Sequence, residues 1–104
     1  MIFHLTEPDL WRRSMEEGQH TGSTRGRELA DEGFIHCSTA EQWPAVRALF
    51  YADVDDLLLL HIDEKRLTDP VVYEQLGDAP APFPHVYGPI PLDAVVRVEQ
   101  LTTG

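Results

Sequence analysis

The chain has 104 residues, a length that fits one domain over residues 1–104 with a single modest core. Eight basic against eighteen acidic residues give a formal net charge of −10, so we expect no general binding to nucleic acids or anionic membranes. One cysteine excludes an internal disulfide, and no apolar run approaches the ~20 residues of a membrane span, which predicts a cytoplasmic protein.

The first predicted elements are a strand at residues 2–5, which carries His4, and a helix that follows it. Thr6 is expected to cap this helix, because a hydroxyl can accept from the free N–H groups of the first turn. Pro8 is tolerated in that turn, and Gly18 is the expected C-terminal stop.

A loop rich in glycine, serine and arginine is predicted at residues 22–26, with a short helical turn at residues 28–32. Arg25 and Arg27 are candidates for binding a small anion. Loops of this composition are more often solvated connections, and the sequence leaves both interpretations open.

Residues 34–37 predict a second strand, in which alternation places His36 and Cys37 on opposite faces. The thiol is expected in the core. Ser38 and Glu41 have the spacing of a capping box, so Ser38 is expected to cap the second main helix. The Ser38 hydroxyl is also a candidate ligand contact.

Pro44 sits late for a first turn, so the second helix is expected to start slightly after that box or to kink. Its expected core residues recur at helical spacing: Trp43, Val46, Leu49 and Phe50.

The remaining chain predicts strands at residues 57–63 (buried on both faces), 71–74, 86–88 and 94–99, with an exposed proline-rich loop at 77–82 and a frayed tail at 102–104. Two main helices followed mostly by strands indicate an α+β fold.

Three histidines lie in apolar segments that predict strands: His4, His36 and His85. A buried imidazole needs hydrogen-bond partners, so each of them taken alone is best interpreted as structural. Taken together, the three favour one shared cleft. The polar residues available to that cleft are Ser38, Glu74 and Tyr87. His20, in a loop, and His61, at the end of a buried strand, are expected to be ordinary.

A zinc site has some support from residue types, because Cys37, Asp63 or Glu74 could join the three histidines as ligands. The HExxH, CxxC and His-x-His patterns are all absent, so no metal is expected. A nucleophilic Cys37 paired with His85 is a second alternative. The apolar neighbours of Cys37 favour a buried thiol instead.

A nucleotide-like ligand fits the residue types better. His4 and His36 can donate to ribose hydroxyls or to a carboxamide, and Phe83 or Tyr87 can stack on a flat ring. Glu74 can orient a hydroxyl or stabilise positive charge at an anomeric carbon. Glycine-rich phosphate loops of the GxGxxG and GxxxxGKS types are absent, so neither a Rossmann nor a P-loop site is indicated.

Five segments together resemble the domain-of-unknown-function family numbered 952, over nearly the whole chain from Ile2 to Val98. They are residues 2–6, 32–38, 57–63, 73–74 and 83–89, and the FIHCS and FPHxYGP elements within them are specific in combination. The fold of that family is grouped with the ADP-ribosyltransferase-like domains. The resemblance therefore implies a compact split β-sheet with two main helices, which binds NAD in a cleft between two small sheets.

The resemblance also implies roles for matching residues. His4 looks like the histidine that holds the nicotinamide ribose and carboxamide, and Glu74 like the late-strand glutamate that orients the acceptor or the ribose. Phe83 or Tyr87 would stack on the nicotinamide. His36 departs from the histidine–tyrosine–glutamate order, because it stands where a tyrosine or serine is usual.

The sequence supports three hypotheses for function. The first is an ADP-ribosyltransferase-like enzyme that binds NAD or another nucleotide. Its catalytic residues would be His4, His36, Glu74 and His85, and its ligand contacts His4, Ser38, Phe83 and Tyr87. The second is a non-catalytic module that binds a small ligand in the same pocket, and the third leaves the histidines purely structural. Size and charge do not decide between monomer and dimer.

Overall fold

Within residues 1–102, which the computed structural model describes, the chain forms three α-helices and ten strands. The helices are α1 (Pro8–Glu17), α2 (Leu29–Glu32) and α3 (Trp43–Phe50). The strands are β1 (Ile2–Thr6), β2 (Gln19–His20), β3 (Gly22–Thr24), β4 (Arg27–Glu28), β5 (Ile35–His36), β6 (Leu58–Ile62), β7 (Val71–Glu74), β8 (Phe83–Val86), β9 (Ile90–Pro91) and β10 (Val95–Gln100). No helix in this part of the chain is long and apolar enough to cross a membrane. Residues 103 and 104 of the expected tail lie outside the described residues.

Two three-stranded antiparallel sheets frame the molecule. The first has the order β1-β6-β10 and the second the order β5-β8-β7. A bridge joins them, because the backbones of Phe3 and Ser38 exchange hydrogen bonds of 2.8 and 2.7 Å. Two smaller ribbons, β2-β9 and β3-β4, complete the architecture. The expected α+β class is confirmed.

The alternation of β6 places an apolar core on each side of the first sheet. Leu60 packs into the larger cluster with Ile2 and Ile35. Leu59 faces the other way, into a smaller cluster that includes Tyr51. The prediction of a central strand buried on both faces is confirmed, since β6 lies between β1 and β10.

The first helix starts one residue later than the sequence predicts. Thr6 is the last residue of β1 and pairs with Leu58, so its backbone belongs to the sheet and does not cap the helix. Glu7 takes the N-cap position without a side-chain hydrogen bond, and Pro8 opens the helix. Gly18 ends it in the left-handed conformation at φ 84°, as expected.

Residues 22–26 do not form the expected loop but belong to the hairpin of β3 and β4. Gly22 pairs with Glu28, and Gly26 supplies the turn at φ 75°. The composition suggested a loop because it lacks strong strand formers, but strand formation depends on pairing context more than on intrinsic preference. The short helical turn predicted beyond this region is α2.

Ser38 does not cap the second main helix, because its backbone forms the bridge to Phe3. Gln42 occupies the N-cap position of α3 instead, and the Gln42 side chain accepts from the Thr39 N–H at 2.9 Å. The helix begins at Trp43 with a proline in its first turn, so the expected later start is confirmed.

The expected core face of α3 is correct for two of its four residues. Trp43 and Val46 pack against the smaller cluster, whereas Leu49 and Phe50 are 74% and 56% exposed. Tyr51, directly after the helix, is buried in that cluster. The helix ends at Phe50, and the residue after it supplies the buried side chain that was expected from the last turn of the helix.

Among the later strands, β8 is shifted from its predicted position and β9 was not predicted. β7 and β10 lie where expected, and residues 77–82 contain no strand. β8 is formed by Phe83–Val86 rather than by residues 86–88, because this segment pairs with both β5 and β7. Pro84 lies within this central strand, and its carbonyl accepts from the Cys37 N–H at 3.0 Å.

Candidate functional site

His4 is fixed on β1 by a hydrogen bond to the second sheet. Its side chain is buried, and Nδ1 lies 2.5 Å from the carbonyl oxygen of His36. A carbonyl only accepts, so Nδ1 carries the proton. Burial lowers the pKa of His4 to about 4. The ring is therefore neutral at neutral pH, and its Nε2 is an acceptor.

A cavity of about 300 Å³ lies beside His4, where the two sheets are bridged. Four of the residues predicted from the sequence line it: His4, His36, Ser38 and Phe83. Hydroxyl groups that the sequence analysis did not single out come from Ser23, Thr24 and Tyr51. The volume is at the lower end of the range for small-molecule sites. No aspartate or glutamate is among the described residues that line the cavity.

The other predicted residues form a hydrogen-bonded group around Glu74. Its Oε1 accepts from the hydroxyl of Tyr87 and from Nδ1 of His85, the latter at 2.8 Å. Both hydrogen bonds, that of Tyr87 first, lower the pKa of Glu74. The carboxylate in turn raises the pKa of Tyr87. Glu74 is therefore ionised and already engaged by two neighbours.

His36 connects this group to the cavity. It lies opposite His85 in the register of β5 and β8, and the two rings meet edge-on with centroids 4.9 Å apart. Phe34 stacks on His85 at 4.2 Å. His85 itself is fully buried, and its Nε2 has no hydrogen-bond partner among the described residues. Burial and the neighbouring His85 lower the pKa of the half-buried His36.

The structure thus brings His4 and His36 to one cavity and leaves His85 outside it. Ser38 and Phe83 join the cavity, whereas Glu74 and Tyr87 stay with His85. The predicted residues therefore form two adjacent groups, which meet where His36 contacts His85 and where Phe83 pairs with Glu74 in the register of β7 and β8.

His20, which the sequence analysis treated as an ordinary loop residue, is fully buried on β2. Ser14 Oγ donates to the Leu10 carbonyl and therefore accepts from His20 Nδ1, at 2.6 Å. The His20 ring meets the His4 ring edge-on at 4.9 Å. Burial, followed by the proximity of His4, lowers the pKa of His20 to about 3. The available signal was Ser14, which lies at helical spacing from Leu10 and Trp11, because a buried hydroxyl needs a partner.

The remaining candidates have structural partners. Cys37 also lines the cavity, but its side chain is buried and burial raises the pKa of its thiol, so the expected core position is confirmed. Arg25 makes hydrogen bonds of 2.6 and 2.8 Å to Asp53, with Glu7 at 3.8 Å. His61 contacts Glu99 at 3.0 Å. Within residues 1–102, no group of three or more His, Cys, Asp or Glu side chains could hold a metal ion.

A family model described as "Protein of unknown function (DUF952)" matches residues 6–98. The crystal structure of protein CC0527 from Caulobacter crescentus is similar, with 25% identity and a TM-score of 0.85, covering 99% of this chain and 87% of that one. The solution NMR structure of CC0527 gives 26% identity and a TM-score of 0.79, covering 99% and 85%. No curated protein matches the chain.

Proposed function

This chain belongs to the DUF952 family of proteins of unknown function, and from that membership we propose that it is an ADP-ribosyltransferase-like protein that binds NAD or a related nucleotide. The observation that carries the proposal is the convergence of His4, His36, Ser38 and Phe83 on one cavity of about 300 Å³. The cavity lies at the bridge between two small sheets. This arrangement supports the fold grouping and the cleft that the family resemblance implies.

The nicotinamide riboside end of NAD fits the chemistry of the cavity lining. Phe83 offers a ring for stacking on the nicotinamide, and the Ser38 hydroxyl can donate to or accept from the carboxamide. His36 can donate to a ribose hydroxyl. His4 accepts from a ribose hydroxyl through Nε2, since its Nδ1 proton is held by the His36 carbonyl. These contacts are stronger here than at the surface because the groups are partly shielded from water.

In the transfer step, the bond between nicotinamide and C1′ of the ribose breaks and its electron pair leaves with the nicotinamide. A nucleophilic O–H or N–H group of the acceptor then forms the new bond to C1′ and releases its proton to water. Positive charge develops on the ribose meanwhile, and a fixed carboxylate stabilises it. Glu74 is the proposed carboxylate, ionised and held by His85 and Tyr87. The ribose must extend past His36 to meet it.

A non-catalytic binding module is the second candidate function, and one observation favours it. No carboxylate lines the cavity among the described residues, and Glu74 already accepts two hydrogen bonds. A ligand confined to the cavity would be bound without being cleaved.

Calorimetric titration with NAD, together with chromatographic measurement of nicotinamide release, tests both candidates. His36→Ala should weaken NAD binding by about tenfold, the loss expected for roughly one hydrogen bond. The matched control is His61→Ala, which removes a half-buried imidazole outside the cavity and should leave the affinity unchanged. Glu74→Gln should stop nicotinamide release and preserve binding.

The outcomes separate the candidates. Binding with release supports the enzyme, and binding without release supports the module. Absence of NAD binding, or equal losses in His36→Ala and His61→Ala, would overturn the proposed site.

A further inference from the structure

A groove adjoins the cavity, between α3 and the segment of residues 76–83. Its volume is about 420 Å³, and most of its walls are apolar. Leu49, Phe50 and Leu76 line it and are 74%, 56% and 41% exposed. Single exposed apolar side chains are normal, but a cluster of them around one concave surface marks a binding site. The groove therefore explains why the end of α3 presents large apolar side chains outside the core.

The groove and the cavity share a wall. Val46, Phe50, Leu76 and Phe83 line both of them. One small molecule can therefore place one end in the cavity and the other in the groove.

The size of the groove favours a small molecule over a folded partner. It is lined by eleven residues, whereas a standard protein interface uses roughly 20–30 residues on each side. Its volume instead falls within the range of small-molecule sites.

The charges around the groove disfavour a phosphate or another anion. No lysine or arginine is among the described residues that line the groove or the cavity, and Glu41 is the ionisable residue of the groove. Arg25 is already engaged by Asp53 and Glu7. An anion in the groove would add to the repulsion of a chain with net charge −10. The group that fits there is uncharged.

Gln42 holds the far wall of the groove in place. Its Nε2 donates to the carbonyls of Ala81 and Pro82 at 3.3 and 3.0 Å. Its Oε1 accepts from the Thr39 N–H, which ties the same side chain to the start of α3. The proline-rich segment thus has a defined position although it forms no strand.

We infer that the groove is a second subsite for the ligand, and that it takes an uncharged, apolar group of the molecule whose polar end lies in the cavity. The inference that one ligand occupies both sites rests on the proposed function. The inference that the groove binds an uncharged apolar group rests only on the residues that line the groove and on their charges.

Indole, an uncharged apolar probe, can be titrated into protein labelled with the nitrogen-15 isotope, and its binding followed by the NMR shifts of the backbone amides. We expect saturable shifts at the amides of Leu49, Leu76 and Phe83, and weaker binding of the charged analogue indole-3-acetate. Leu49→Gln should weaken indole binding at least about fourfold, equivalent to the burial of roughly one CH₂ group. Met15→Gln is the matched control, because Met15 is 54% exposed on α1 and outside the groove, and it should change nothing.

NAD is titrated separately and followed at the amides of His36 and Ser38, so the two proposals can fail independently. Indole binding without an NAD response supports the groove and overturns the proposed function. An NAD response without saturable indole shifts overturns the groove as a subsite. Equal affinities for indole and indole-3-acetate overturn the inference that the groove selects an uncharged group. When each probe binds on its own, displacement of indole by NAD supports one shared ligand, and simultaneous binding of the two overturns that link.

Discussion

His4 and His20 are two neutral imidazoles held together away from water. Each has its Nδ1–H satisfied by an oxygen, the His36 carbonyl in one case and Ser14 Oγ in the other. The burial of His4 could be predicted from its apolar strand. Its partner could not, because the carbonyl belongs to a residue 32 positions later in the chain. Local alternation indicates which side chains are buried, but it does not specify distant contacts.

Ser14→Ala should destabilise the fold by about 1–3 kcal/mol, because it leaves the buried His20 Nδ1–H without an acceptor. Urea denaturation measures the change. Thr68→Ala is the control, since that hydroxyl is exposed, and its effect should stay within about 0.5 kcal/mol. Equal losses in the two variants would show that the Ser14–His20 hydrogen bond does not contribute.

Tyr87→Phe should raise the pKa of Glu74, because the Tyr87 hydroxyl is the largest cause of its lowered value. Carbon-13 NMR titration of the side-chain carboxyl measures it. Tyr73→Phe is the matched control, since that hydroxyl donates to Glu64 instead and its loss should not move the Glu74 titration. An unchanged Glu74 pKa in Tyr87→Phe would contradict the assigned cause.

The bridge between Phe3 of β1 and Ser38, two residues after β5, is the contact between elements that places the cavity. The sequence predicted the strands on both sides of it, and Gly18 correctly marked the end of α1. It did not predict the bridge, because a serine before a helix is equally compatible with a cap and with an extended backbone. The capping-box spacing of Ser38 and Glu41 favoured the cap, whereas pairing with Phe3 determines the observed conformation.

Ser38→Pro should destabilise the fold by at least about 1–3 kcal/mol, because it removes the N–H that donates to the Phe3 carbonyl at 2.7 Å. Ser38→Ala keeps that backbone bond and should cost less than the roughly 1 kcal/mol typical of a lost helix cap. Chemical denaturation of both variants measures the difference. A larger loss in Ser38→Ala than in Ser38→Pro would restore the capping interpretation.

For the whole molecule, the class and five of the six strands of the two three-stranded sheets were accessible from the sequence, because they depend on local patterns such as those along β6, β7 and β10. The division of the site into two groups was not. It depends on the register that sets His36 opposite His85. That register leaves no local pattern in the sequence.

The stability of the molecule should fall as the pH drops from about 6.5 towards 4. His4 and His20 have folded pKa values of about 4 and about 3, against 6.5 for the ordinary group. Below pH 6.5 the unfolded chain therefore binds protons that the folded chain does not, so stability is fully present above that pH. Urea denaturation at pH 7, 6 and 5 measures the trend.

The three measured pH values lie above the ordinary pKa values of the carboxylates with lowered pKa values, 3.8 for Asp53 and 4.5 for Glu74, so these groups contribute little to the trend. A free energy of unfolding that stays constant from pH 7 to pH 5 would contradict the claim that His4 and His20 are buried in the neutral form. The ring signals of His4 and His20 should also show no titration over the same range.

The central position of β6 has a consequence for the rate of folding. Its partners are Ile2 opposite Ile62 on one side and Val98 opposite Leu60 on the other, so the first sheet needs segments from both ends of the described chain. Pairing across such separations makes loop closure entropically costly and folding slow for a chain of this size. Trp11 packs against the larger cluster and Trp43 against the smaller one, so their fluorescence can time each core separately. The cavity borders both sheets and should become able to bind its ligand only after the last of these pairings forms.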